Sequence, residues 1–162
     1  MPAYTFSNQL AGTPQNLTTT QKTQLNVSAL TGAATLRRGW LMEWEIGADG
    51  ARQTTSIAIA WTIMKSTAAG TGTAITPNPN DTGGGDAAAQ LTYAANHTVE
   101  PTYVQTANLW YLPLDQQASY RIQMRDKFSA LIVPAVTTNG LAMGAKSATY
   151  ASTVGWRCLL EE

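Results

Sequence analysis

Charge is scarce in this chain of 162 residues: Asp, Glu, Lys and Arg make up 12% of it, about half the share an ordinary soluble domain carries. Ten Lys and Arg balance ten Asp and Glu, giving a formal net charge of zero and an isoelectric point near 6.6. No long-range field gathers phosphates or anionic lipids, so nucleic acid and membrane are not the expected partners. The single cysteine, Cys158, excludes an internal disulfide framework and a multi-thiolate zinc site. The single histidine, His97, removes nearly all His-based metal and triad chemistry, and no cofactor is expected. The longest apolar run, 56–64, is far shorter than the ~20 residues of a membrane-spanning helix. The opening MPAYTFSNQLAG has neither a basic nor an apolar leader segment, so synthesis in a cytoplasm is expected. The sequons at Asn16, Asn26 and Asn96 then read as chance matches in a Thr-rich chain.

What fills the chain instead is Ala, Thr, Gly, Asn and Gln, with a mean hydropathy of −0.14. A neutral surface coated with hydroxyls and amides lacks the repulsion that keeps monomers apart, which points to life in an assembly.

The dominant hydrophobic period is two. In 38–46, Trp40, Met42, Trp44 and Ile46 share one face and Leu41, Glu43 and Glu45 the other. In 55–65, Ile57, Ile59, Trp61 and Ile63 oppose Ala58, Ala60 and Thr62. The intervening GADGAR has the residue types of a tight reversal, so the two strands are expected to pair as a hairpin or meander. Further strands are read at 107–112, at 119–126 with a basic outer face of Arg121, Gln123 and Arg125, at 130–133, at 140–147, and at 153–160. In the last, Val154, Trp156, Cys158 and Leu160 alternate with Gly155, Arg157 and Leu159. No apolar stripe recurs at helical spacing, and the Ala-rich piece 86–95 offers at most a short helix. Seven or eight short strands predict an all-β, antiparallel β-sandwich of jelly-roll type.

Two stretches fit that sandwich poorly. Residues 1–35 are polar and poor in large apolar groups, and read as an extended N-terminal arm on a 36–162 domain. Residues at about 66–98, with AAGTGTA, PNPND and TGGGD, read as a long loop, the kind of segment that carries contacts.

Reactive chemistry is thinly supported. Alternation puts Cys158 beside Val154 and Trp156, where a thiol is buried and inert. His97, in the polar run AANHTVEP, reads as a hydrogen-bonding residue more readily than as a base. Glu43 and Glu45 could be a glycosidase pair, but same-face neighbours on one strand are about 7 Å apart and pair equally well with Arg121 and Arg125 of another strand. The oxygen-rich stretch 78–86 lacks the order of a calcium loop, and AGTGTA lacks the Gly-Lys-Ser/Thr of a phosphate loop. Trp110 and Tyr111 point to opposite faces, so one could stack on a sugar while core packing claims the other.

The order of RRGWLMEWEIG, TTSIAIAWTIMKSTAAGTGTAITP, ANHTVEPTYVQ, NLWYLPLDQQASYRIQM and TVGWRCLLEE, about 120 residues in all, resembles the jelly-roll capsid decoration, or cement, proteins of tailed bacteriophages. The resemblance implies a homotrimer on the capsid surface of the virion, made in the bacterial host cytoplasm and clamping the major capsid protein. It supplies no site residues. The arm and loop then become the expected grips, with Tyr4, Phe6, Leu10 and Leu17 on the arm and Asn78, Asn80, Asp81 and His97 on the loop as the expected partner-binding residues. The alternative class is a carbohydrate- or receptor-binding β-module of a phage tail or baseplate.

Overall fold

The structure, a computed structural model, describes residues 2–12, 15–30, 36–81, 88–148, 150 and 152–162, with the backbone alone at 105–107. The strands are β1 (Ala3–Ser7), β2 (Lys22–Ala29), β3 (Gly39–Ala48), β4 (Ala58–Ala68), β5 (Thr71–Ala74), β6 (Asn78–Pro79), β7 (Leu91–Val99), β8 (Thr102–Asp115), β9 (Ser119–Gln123), β10 (Leu131–Val133), β11 (Gly140–Lys146) and β12 (Val154–Glu161), with one short 3₁₀ turn at Asn8–Ala11. They form two antiparallel sheets. The first runs β10-β3-β12-β1-β6, with β9 pairing β3 beyond the end of β10, and the second runs β5-β7-β2-β11-β4-β8.

The protein is therefore an all-β sandwich. Its first and last strands lie side by side in one sheet, and β2 lies beside β11 in the other, a nested pairing compatible with a jelly-roll winding. Alternation fills the space between the sheets. Tyr4, Phe6, Trp44, Ile46, Val154, Trp156, Cys158 and Leu160 enter from one side, and Leu25, Val27, Ile59, Trp61, Ile63, Leu141 and Met143 from the other. Aromatic rings tie the layers together: Trp61 meets Trp156 edge-on at 5.4 Å, and Phe6 meets Tyr93 at 4.8 Å.

Several sequence expectations are corrected here. Strands β3 and β4 do not pair; they lie in opposite sheets, because alternation states which face is buried but not which sheet the strand joins. The GADGAR link crosses between layers, and Gly50 is required there because a Cβ would lie 1.6 Å from Ser152 Oγ. Within β3, Leu159 faces Glu43 while Leu160 faces Leu41, so Met42 is an extra residue. That bulge reverses the alternation: Leu41 is buried, and Trp40 turns outward beneath the Lys127 ammonium, 4.9 Å from its ring centre. Pro113 does not end its strand, since β8 is a sheet edge where a missing N–H is tolerated.

The arm is not detached either. Strand β1 is held between β12 and β6, and β2 between β7 and β11. The long loop contains β5, β6 and most of β7, and 91–95 of the Ala-rich piece is strand; positions 82–87 lie outside the described residues. Strand β4 continues into β5 through Ala69 and Gly70, as β7 does into β8 through Glu100 and Pro101, making one long two-stranded ribbon. Its halves are opposite edges of the second sheet, so the ribbon bends across β2 and β11. Gly70 sits in that bend with φ +70° and its Cβ position 2.4 Å from the Val99 carbonyl oxygen, a conformation and an approach that a side chain would block.

Candidate functional site

The outward face of the first sheet carries a row of paired charges. In register across it lie Arg121 of β9, Glu45 of β3 and Arg157 of β12, with Glu43 one pair further along. Arg121 grips Glu43 with two parallel bonds, Nε to Oε1 at 2.9 Å and Nη2 to Oε2 at 2.7 Å. The Glu43 carboxylate keeps the Arg121 guanidinium above its ordinary pKa. Arg157 stands 3.7 Å from Glu45. The expected cross-strand pairing of these glutamates thus forms, with Arg157 in the place expected for Arg125, which lies exposed beyond the end of β9.

Beside this row, Gly47 and Gly155 face each other and leave the floor of a hollow of about 380 Å³ without side chains. Ser7, Gln9, Glu45, Asp49, Ser119 and Arg157 wall it, and Gln9 Nε2 donates to Asp49 Oδ2 at 2.9 Å to fix one side. A smaller hollow of about 210 Å³ lies on the other flank of Arg157, against Thr5, Glu43, Asn80 and Arg121. Hydroxyls, amides and paired charges over a glycine floor suit a polar, hydroxyl-rich ligand.

A second polar cluster is buried under the ribbon bend. Glu100 Oε2 accepts from the Thr23 backbone N–H at 2.9 Å and from the Tyr103 hydroxyl at 2.6 Å, and the Thr23 and Tyr103 hydroxyls also bond to each other. Lys22 stands 3.8 Å from Glu100. His97, fully buried at this end of β7, lies against the Thr23 and Ala69 backbones. Burial pushes its imidazole below the ordinary 6.5, with the Glu100 charge opposing. The neutral ring is the folded form, so the unfolded chain takes up a proton first as pH falls. Stability linked to His97 is complete above pH 6.5 and declines below it by at most ~1.4 kcal/mol per pH unit. A urea titration at pH 7 and pH 5 should show a smaller loss for His97→Gln than for the parent chain; equal losses would remove His97 from the acid response.

Of the expected contact residues, Phe6, Leu17 and His97 are buried in the sandwich and have no surface to offer a partner, while Tyr4 is buried but its ring forms part of the floor of a hollow beside β6. Leu10 is exposed on the 3₁₀ turn. Asn78, Asn80 and Asp81 are exposed and gathered at the β6 edge, where Asn80 N–H donates to the Ala3 carbonyl and Thr5 Oγ1 donates to Asn80 Oδ1 at 2.7 Å. Pairing of β1 with β6 therefore unites part of the arm with part of the loop. Trp110 packs edge-on against Trp44 at 5.7 Å and Trp156 at 6.2 Å, while Tyr111 faces outward. Cys158 is buried with its thiol 3.4 Å from Met143 Sδ, and burial raises its pKa well above 9.0.

Sequence reasoning missed Phe128, whose side chain is completely exposed. Asp126 Oδ1 accepts from the Phe128 N–H, the Ser129 N–H and the Ser129 hydroxyl, all at 3.0 Å, which fixes the turn that presents it. Those bonds, Ser129's first, hold the Asp126 carboxyl below the ordinary carboxylate range. The pattern D-x-x-S was the available signal. In comparisons with known proteins, no family model matches the chain, and no curated protein or solved structure matches it either.

Proposed function

We propose that this chain is a structural protein that acts by contact: a homotrimeric decoration, or cement, protein that binds the major capsid protein on the outside of a tailed-phage capsid, and not an enzyme. The observation that carries the reading is the segment 126–136, where Asp126 fixes a turn that presents a fully solvated Phe128 and where Ile132 and Val136 are exposed too, several large apolar side chains in one short stretch that a partner could cover. Three groups that could do chemistry are held structurally: Glu43 by Arg121, Glu100 by Thr23 and Tyr103, and Cys158 by the core. The neutral surface permits close packing among copies.

The glycine-floored hollow favours a second reading, a carbohydrate-binding module of a phage tail. One pair of measurements separates them. Added to capsids of the encoding phage that lack it, the chain should sediment with the particles and raise their disruption temperature. No sedimentation, together with a glycan-array signal abolished by Gly155→Val, would transfer the function to the hollow. A Cβ at Gly155 meets its nearest neighbour at 3.7 Å, so that substitution fills the hollow while leaving the strands in place.

A further inference from the structure

We infer that copies of this protein join head to tail, with Phe128 of one copy seated in an apolar hollow of the next. The inference rests on the assembly reading above and names the surfaces involved. The plug is the 126–129 turn with its exposed Phe128; Ile132 of β10 and Val136 just beyond it are exposed as well. The socket is a hollow of about 370 Å³ walled by Tyr4, Ile75, Pro77, Pro79, Leu91 and Tyr93. Rings and prolines lining a concavity suit an inserted phenyl group.

Placement makes the two surfaces complementary between molecules. The plug adjoins β10, one edge of the first sheet, and the socket adjoins β6, the other edge. Both lie at the same level, because Ile132, Trp40, Glu161 and Ala3 are in register across the sheet and Asn80 N–H bonds Ala3. Charge agrees with this pairing. Exposed Arg125 lies just before the plug and exposed Asp81 just after Pro79 at the socket, opposite charges on the two surfaces, while Lys127 beside Phe128 is held by Glu161 of its own chain at 2.9 Å. A second copy is therefore the occupant: each molecule carries both halves, and zero net charge leaves no net repulsion to overcome.

The contact is heterologous, so every copy added leaves one plug and one socket open until the chain of copies closes on itself. Phe128 alone would bury roughly 150–200 Å², against the roughly 1,200–2,000 Å² of a stable interface. Ile132, Val136 and the β6 rim with Asn78 and Asn80 must supply the remainder, with Phe128 as the anchor.

Light scattering of the full chain over a concentration series tests this. The parent should show a multiple of 17.3 kDa, and Phe128→Ser should dissociate at concentrations at least ~30-fold higher than the parent requires, the loss expected of an anchor residue. Its circular dichroism should be unchanged, since the side chain is outside the core. Phe128→Cys combined with Ala89→Cys at the socket should give disulfide-linked species larger than dimers on oxidation, whereas a single new cysteine can link at most two copies, because Cys158 is buried. A parent that stays at 17.3 kDa at every concentration, or a Phe128→Ser variant as assembled as the parent with no cross-link in the double variant, overturns the inference. A monomeric chain that still sediments with capsids would overturn the plug and socket and leave the capsid-binding reading standing.

Discussion

Trp156→Ala is expected to remove about 3–5 kcal/mol from the free energy of unfolding, the range for deleting a large buried ring. Against a total of roughly 5–15 kcal/mol for a domain of this kind, that is enough to leave a sizeable unfolded fraction at 37 °C. Trp156 is the joint of the core: it meets Trp61 of the opposite sheet at 5.4 Å and Trp110 at 6.2 Å, and Trp110 in turn meets Trp44. Alanine there would open a cavity beside the indoles of Trp61 and Trp110, which are fixed by their own strands and cannot close over it. Among the described residues, the indole N–H groups of Trp44, Trp61 and Trp156 have no protein acceptor. Trp156→Phe gives up that N–H with no hydrogen bond to lose and keeps a ring in the core, so it should cost less than Trp156→Ala. Trp40→Ala, on the outer face, should cost under about 1 kcal/mol, the scale of a cation–π contact at a wet site. Urea denaturation of the three variants checks the order, and a Trp156→Ala midpoint no lower than that of Trp40→Ala would refute the placement of the core.

How much of this was legible in the sequence depends on how far period two could be trusted. Strands β4 and β12 were readable because Ile59, Trp61 and Ile63 alternate with Ala58, Ala60 and Thr62, and Val154, Trp156 and Cys158 with Gly155 and Arg157. The same pattern misplaced Trp40, since one bulged residue at Met42 exchanges the faces and nothing in RRGWLMEWEIG marks it. The 1–35 stretch looked like an arm because β2 alternates Leu25 and Val27 with Gln24, Asn26 and Ser28, and half of it reads as polar surface. In the fold both sets are buried, the polar one beneath the ribbon bend, with Asn26 Nδ2 bonded to the Leu141 carbonyl at 3.1 Å. Burial from two sides is a tertiary fact that a single strand does not announce. Among the site residues, the Glu43 and Arg121 pairing followed from opposite charges on alternating faces. Phe128 was hidden because an aromatic after a strand reads as core, and only the Asp126 bonds show that the turn holds it outward.

Alkaline solution should unfold the protein well before its other groups would require. Burial keeps the Cys158 thiol protonated far above its ordinary 9.0, and burial first, then the Glu162 charge and hydrogen bond, keep the Tyr93 hydroxyl protonated far above its ordinary 10.0. Both folded values are raised, so the stability these groups carry is complete below pH 9. As pH rises, the unfolded chain releases the two protons while the folded one retains them, and the balance shifts toward unfolding. At ~1.4 kcal/mol per group per pH unit, the thiol over two units and the phenol over one remove about 4 kcal/mol between pH 9 and pH 11. Urea midpoints at pH 8, 9.5 and 11 should therefore fall steeply, and Cys158→Ala with Tyr93→Phe should flatten most of that fall. Glu162→Gln keeps one acceptor oxygen for the Leu91 amide and the Tyr93 hydroxyl, removes the charge, and turns an NH2 toward the Gln90 amide, so it should lower the midpoint at every pH and flatten part of the Tyr93 share of the alkaline fall. A parent chain whose midpoint holds constant to pH 11 would mean that the thiol and the phenol reach water in the folded state. That result would contradict the sealing of the sandwich around Met143 and Phe6, the residues that cover them.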